Sequence, residues 1–265
     1  MKTESPWLHR YAIFVAVVAL IAIAAGAVVT SLVRPIAATP AAHIDPAFEL
    51  WHSIIGSAAV LFMLGLAIAH RSRLAWIGFA AAVLDAGSHQ LSPIVHAVLG
   101  QVFLGAIVGT ALVTSASWKL GPQPIDDTWR PSMRSLAIAV PAIILLQTTL
   151  GASYRYRALG VIWHILNAMI VLLLILIVAV FLIRQFPQHP TLRPAAIALA
   201  VITSVQVLLG FTTFMMLILF PETSLAVVIT SVLHVTTGAL TFGAGVALAM
   251  LMRYNIRQLL PSSHN

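Results

Sequence analysis

Long apolar runs separated by short polar breaks dominate this chain. A helix needs about 20 apolar residues to cross the hydrocarbon core of a bilayer. From the N-terminus the runs are Tyr11–Val33, Leu50–Ala69, Leu74–Ser88, Ile94–Ser115, Met133–Ala152, Gly160–Ile183, Ala195–Leu219 and Leu225–Met252. The first is too long for a signal-peptide core of about 7–15 residues, so it reads as an uncleaved span. The third is the shortest, contains Asp85 and ends in Gly87–Ser88.

The polar breaks carry an orientation signal that decides the third run. With eight spans and the N-terminus inside, one side of the membrane holds Lys2, Arg10, Arg71, Arg73, Lys119, Arg130, Arg134, Arg184, Arg193, Arg253 and Arg257. That is 11 of the 14 basic residues, against Arg34, Arg155 and Arg157 on the other side. Without the third run every later loop changes sides, and the split becomes 6 against 8. The positive-inside rule therefore predicts eight spans with both termini cytoplasmic. The longest polar loop, Trp118–Pro131, divides the chain at its midpoint. The expected organisation is an N-terminal four-helix half over 1–117, a cytoplasmic linker over 118–132, and a C-terminal four-helix half over 133–265.

Composition narrows the class. The 265 residues are 60% hydrophobic and 8% charged, with a mean hydropathy of +1.02. A soluble domain usually carries about 25% charged residues. So few charges cannot cover a water-exposed surface, which excludes a soluble enzyme, a disordered chain and a secreted disulfide scaffold. The fold class is an all-α polytopic membrane protein. The basic residues cluster at the ends of apolar runs, which is an orientation signal and not a nucleic-acid footprint. Cysteine is absent, so disulfides, thiolate metal sites, iron–sulfur clusters and covalent c-type haem attachment are excluded.

Histidine is then the abundant functional side chain, with 10 in the chain. Each even-numbered span begins on the outer side and carries one within its first turns: His52, His96, His164 and His234. The local strings are HSIIG, HAVLG, HILNA and HVTTG. Each places a small residue (Gly56, Gly100, Ala168, Gly238) four positions on, one helical turn away on the same face. A small residue there lets a flat ligand or a neighbouring helix come close. The odd spans add a second echo. Gln147-Thr-Thr-Leu-Gly151 and Gln206-Val-Leu-Leu-Gly210 stand 59 positions apart, and the first half lacks this motif. The pattern predicts two pseudo-symmetric four-helix bundles, each offering two inward histidines from facing helices. His9, His43, His70, His89, His189 and His264 lie at helix ends, in loops or in tails and read as solvated, with His43 and His89 the exceptions in sharing the outer side.

Two histidines per bundle suit axial ligation of one iron from opposite faces of a planar macrocycle. A zinc site would need three or four imidazoles converging on one point. Haem also suits apolar surroundings. Its propionates need cations, and Arg34, Arg155 and Arg157 are those available on the outer side. The segment Tyr154-Arg-Tyr-Arg157 precedes the His164 span, where it serves either propionates or the aromatic–basic interface belt. Glu49 lies three residues before His52 and shares its helix face. It reads either as a helix-terminal anion favoured by the dipole or as an acid/base group beside a haem edge. Asp85 and Glu222 are also outer-side acids, but neither has a histidine at helical spacing.

Eight spans in two halves, one outer histidine per even span and Glu49-Leu-Trp-His52 opening the second together resemble the haem A synthase family. The string LGASYRYRALGVIWHILNA, Leu150 to Ala168, is similar to that family's connection between its fifth and sixth helices. The resemblance implies oxidation of a methyl group of haem O to a formyl group, giving haem A. It implies that His164 and His234 ligate a resident haem b, with Arg155 and Arg157 near its propionates. His52 and His96 would hold the substrate haem O, with Glu49 as the catalytic carboxylate. The implied setting is a bacterial or archaeal cytoplasmic membrane, with haem sites toward the outer side. The implied partners are the lipid bilayer, an electron donor of unknown kind, and haem O synthase or terminal-oxidase assembly proteins. An oligomer is compatible with this setting. The chain departs from many family members in lacking a cysteine pair and a Gly-rich stretch in the first outer loop.

Two other readings stand beside this one. A dihaem b-type cytochrome would only transfer electrons, and would have no use for Glu49. A transporter would use the histidines as proton relays, but Gly and Pro are not clustered mid-span apart from Pro141.

Overall fold

The computed structural model describes residues 6–33, 46–88, 90–127, 129, 132–222 and 224–258. The apolar runs become helices: α1 Pro6–Val33, α2 Pro46–His70, α3 Arg73–Ser88, α4 Pro93–Thr114, α6 Met133–Arg155, α7 Val161–Gln185, α8 Leu192–Leu219 and α9 Leu225–Asn255. A short helix, α5 Ala116–Lys119, follows α4. Seven of the helices among the described residues are long and apolar enough to cross a membrane. The third run forms α3, whose 16 residues rise about 24 Å, against a hydrocarbon core of about 30 Å.

Local chemistry sets the helix ends. Ser92 caps α4 by accepting from Val95 N–H, with Pro93 in the first turn, where no intrahelical donor is needed. Ser132 and Ser224 cap α6 and α9 in the same way. Arg71 and Arg157 adopt left-handed backbone (φ 55° and 57°) at the breaks after α2 and α6. Arg71 N–H still reaches Ala67 O at 2.9 Å, and Ala158 N–H reaches Ser153 O at 2.8 Å. The carbonyls of both helix ends are satisfied there, as burial in lipid demands.

The helices close into two four-membered bundles. α1, α2, α3 and α4 each pack on two others of that set, and α6, α7, α8 and α9 do the same. One core contains Leu8, Val15, Met63, Leu66 and Ile107. The other contains Val140, Ile175, Leu182, Leu199 and Leu248. The bundles meet through α1, α4, α6 and α9. Close approach at this seam uses small residues. A Cβ on Gly105 would lie 2.8 Å from the Phe242 ring, and one on Gly109 would lie 2.9 Å from Met250 Sδ. The outward face of α7 exposes Ile162, Leu166, Met169, Ile170, Leu173 and Ile177. Such a continuous apolar surface is the expected face of a helix toward lipid.

The midpoint loop is more ordered than a linker. Ile125–Asp127 forms a strand, β1, that pairs in parallel with β2, Ile256–Gln258, just after α9. Asp127 is buried and accepts from Trp129 N–H and Met133 N–H, at 3.2 and 2.8 Å. Gln123 N–H donates to Asn255 Oδ1 at 2.8 Å, and Trp118 stacks on Tyr254 at 3.9 Å. The two halves are thereby tied together at the end opposite the histidines.

Candidate functional site: two histidine pairs

All four span histidines contact the C-terminal part of the preceding long helix, so they share one end of the molecule. Arg155, at the end of α6, donates from Nη2 to Ser31 Oγ of α1 at 2.6 Å. This joins the two bundles at that same end. The histidines come together in two pairs, one per bundle. The rings of His52 and His96 have centroids 6.0 Å apart and planes at 87°. Those of His164 and His234 are 6.2 Å apart at 86°. Two imidazole nitrogens each about 2 Å from a shared metal ion put the ring centroids a little over 6 Å apart. Among the described residues, no three His, Asp or Glu side chains converge as a metal cluster, so each pair could serve as a two-nitrogen donor set and no more.

The preceding helices hold the rings by a repeated device. A Cβ on Gly26 would lie 2.9 Å from His52 Cε1, one on Gly151 would lie 2.9 Å from His164 Cε1, and one on Gly210 would lie 2.9 Å from His234 Cε1. Only a residue without a side chain lets the imidazole sit against the neighbouring backbone. One turn before each glycine stands the residue that meets the ring nitrogens. His52 Nδ1 lies 3.1 Å from Ala22 O. Gln147 Nε2 lies 3.0 Å from His164 Nδ1 and also donates to His164 O at 3.0 Å. Gln206 Nε2 lies 3.5 Å from His234 Nε2. The first bundle lacks the glutamine, as the sequence has it, but keeps the spacing: Ala22, four residues before Gly26, meets the ring with its backbone carbonyl.

In α3 the corresponding residue is Asp85. Its backbone oxygen lies 3.0 Å from His96 Nδ1 and its carboxylate Oδ1 lies 2.9 Å from the same nitrogen. Asp85 has a histidine partner after all, across the α3–α4 turn and not along a helix. The small residues after each histidine serve these partners. A Cβ on Gly238 would lie 3.0 Å from Gln206 Nε2, and one on Gly100 would lie 3.7 Å from Asp85 Oδ2. Around Gly56, no atom among the described residues lies within 4 Å of such a Cβ.

In the first bundle an acceptor faces Nδ1 of each histidine. That fixes the tautomer with the proton on Nδ1 and the lone pair on Nε2, the arrangement common to metal-bound imidazoles. In the second bundle Gln147 is held as a donor, since its Nε2 donates to His164 O and its Oε1 accepts from Asn167, whereas Gln206 can turn either end toward His234. His234 Nδ1 and Gln206 Oε1 are buried with no hydrogen-bond partner. Orphaned buried polar atoms are costly and mark an incomplete site. Asn167, buried on α7, donates to Gln147 Oε1 at 2.8 Å.

The remaining sequence candidates fall away from the rings. Glu49 is exposed in the first turn of α2, and no hydrogen bond or ion pair engages its carboxylate among the described residues. Arg157 is exposed at the turn after α6. Arg34, His43 and His89 lie outside the described residues. His9 and His189 are not merely solvated. His9 Nδ1 meets Ala111 O at 2.9 Å, and His189 Nδ1 accepts from Leu192 N–H at 3.1 Å to close the start of α8. The chain matches no protein-family model, and no curated protein is similar to it.

Proposed function

We propose that the protein is a haem A synthase-like membrane oxidoreductase that converts haem O to haem A by oxidising a porphyrin methyl group to a formyl group. The observation that carries this reading is the geometry of the two pairs: centroids 6.0 and 6.2 Å apart with nearly perpendicular planes. That separation suits two imidazoles that would share one iron, and it occurs twice in apolar bundles, with no third His, Asp or Glu converging there among the described residues. The donor chemistry fits haem, since imidazoles and apolar walls are its usual protein setting.

In this reading α3 is the eighth span, exposing Trp76, Ile77, Val83 and Leu84 to lipid. Both termini are then cytoplasmic and the histidine end faces outward, in a bacterial or archaeal cytoplasmic membrane. His164 and His234 hold a resident haem b, with Arg155 and Arg157 beside its propionates. A bound haem supplies one-electron redox chemistry at its iron. His52 and His96 hold the substrate haem O, oriented by Ala22 O and Asp85. Glu49, one helical turn before His52, serves as the catalytic carboxylate. An electron donor and haem O synthase or terminal-oxidase assembly proteins are the partners.

The runner-up is a dihaem b-type cytochrome, and one observation favours it. Among the described residues no hydrogen bond or ion pair joins Glu49 to His52, whereas the Asp85 carboxylate lies 2.9 Å from His96 Nδ1. Co-expression with a haem O source, followed by chromatography of extracted haems, separates the readings. Haem A or its hydroxylated intermediate in the wild type, lost in Glu49→Ala, supports the enzyme. Unchanged haem O at full haem occupancy refutes the enzyme and leaves the cytochrome. A protein without a Soret band refutes both.

A further inference from the structure

We propose that Asp85 sets the two sites apart in redox potential, making the His52/His96 site the lower-potential one by placing a carboxylate on Nδ1 of His96. This rests on the haem reading above and deepens it. The repeat makes the assignment specific. Four equivalent positions face the four histidines: Ala22, Asp85, Gln147 and Gln206. One offers only its backbone, two are neutral carboxamides, and one is charged. Asp85 Oδ1 stands 2.9 Å from His96 Nδ1, and Gly100 leaves room for the carboxylate across the helix contact.

A carboxylate on the far nitrogen of a ligating imidazole raises that ligand's basicity and fixes its orientation. A more basic axial ligand favours the ferric iron, and second-shell hydrogen bonding is one of the levers by which a protein sets haem potential. The carboxamides beside His164 and His234 carry no charge and exert less of this effect. Asp85 acts through His96 and is thus a positioning residue. Its role is to keep the first site ferric at potentials where the second is already reduced.

The test is a spectroscopic redox titration of purified protein loaded with iron protoporphyrin IX. The first-site component is identified as the one that survives in His164→Ala/His234→Ala. Asp85→Asn keeps an oxygen near Nδ1 and removes the charge. It is expected to raise the potential of that component, so that more of it is ferrous at a fixed potential. The other component should stay in place. The reciprocal variant, Gln206→Glu, is expected to lower the second component and leaves the first-site residues untouched. Equal shifts of both components in Asp85→Asn, or no shift in either variant, would overturn the proposal while leaving the haem reading intact. Protein that stays colourless after haem addition overturns the haem reading, and the proposal with it.

Discussion

The two bundles hold their histidine pairs at nearly the same separation and angle, yet support them differently. In the first, backbone oxygens and the Asp85 carboxylate face the rings. In the second, Gln147 and Gln206 do so, and it is the His234 ring nitrogen Nδ1 itself that is buried without a hydrogen-bond partner. A backbone carbonyl can only accept, so the first pair is committed to one tautomer. In the second, Gln147 is held as a donor by its bonds to His164 O and Asn167, while Gln206 can still turn either end of its carboxamide to His234. The shared element is the glycine against each of His52, His164 and His234. The repeat has conserved the space for the imidazole within this chain and varied the group that polarises it.

The sharpest way to break this comparison is to remove one pair. His164→Ala/His234→Ala should eliminate the second site and leave the first, roughly halving the haem bound per protein when both sites are loaded. His52→Ala/His96→Ala should do the converse. Pyridine haemochrome assay against protein concentration reads this directly. Loss of all haem from either variant would mean that the pairs form one site and not two.

Steric variants come next. Gly151→Ala and Gly210→Ala each put a methyl 2.9 Å from a histidine Cε1, inside van der Waals contact, so ring or helix must move. Overpacking of this kind typically costs about 1–3 kcal/mol. Both variants should unfold earlier in detergent and lose haem from the second site. Gly26→Ala should do the same to the first. Wild-type stability and haem content in all three would show that the rings have room the close contacts deny.

Most of the fold was legible because hydropathy writes helix boundaries in lipid. The run Ile94–Ser115 and helix α4, Pro93–Thr114, differ by one residue at each end. The strand pair that ties the midpoint loop to the end of α9 was not legible. Each strand has three residues, too short for any periodicity. At the site, the histidines stand out because ionisable groups are rare in apolar spans. Asp85 was harder to read. Its link to His96 crosses a turn between two helices, and helical spacing encodes only contacts within one. Ala22 was invisible for another reason: it acts through a backbone carbonyl, which every residue has. The Gln-x-x-x-Gly echo was the available signal, once alanine is allowed at its first position.

The smallest effect separates two purposes for the glycine that follows each histidine. Gly238 is filled from across the helix contact: a Cβ there would meet Gln206 Nε2 at 3.0 Å. Gly238→Ala should therefore lower the thermal stability of the haem-free protein, because the carboxamide has to shift. At Gly56, by contrast, a Cβ meets no atom within 4 Å among the described residues. Gly56→Ala should leave the haem-free protein unchanged or more stable by up to about 1 kcal/mol, since alanine is the better helix former. If that open space belongs to a flat ligand, the same methyl should weaken haem binding at the first site. Thermal unfolding with and without iron protoporphyrin IX measures both quantities. A Gly56→Ala protein that is stable when haem-free and binds haem as tightly as the wild type would remove the ligand from this space. A Gly238→Ala protein equally unaffected would make the glycine a matter of helix packing alone in both bundles.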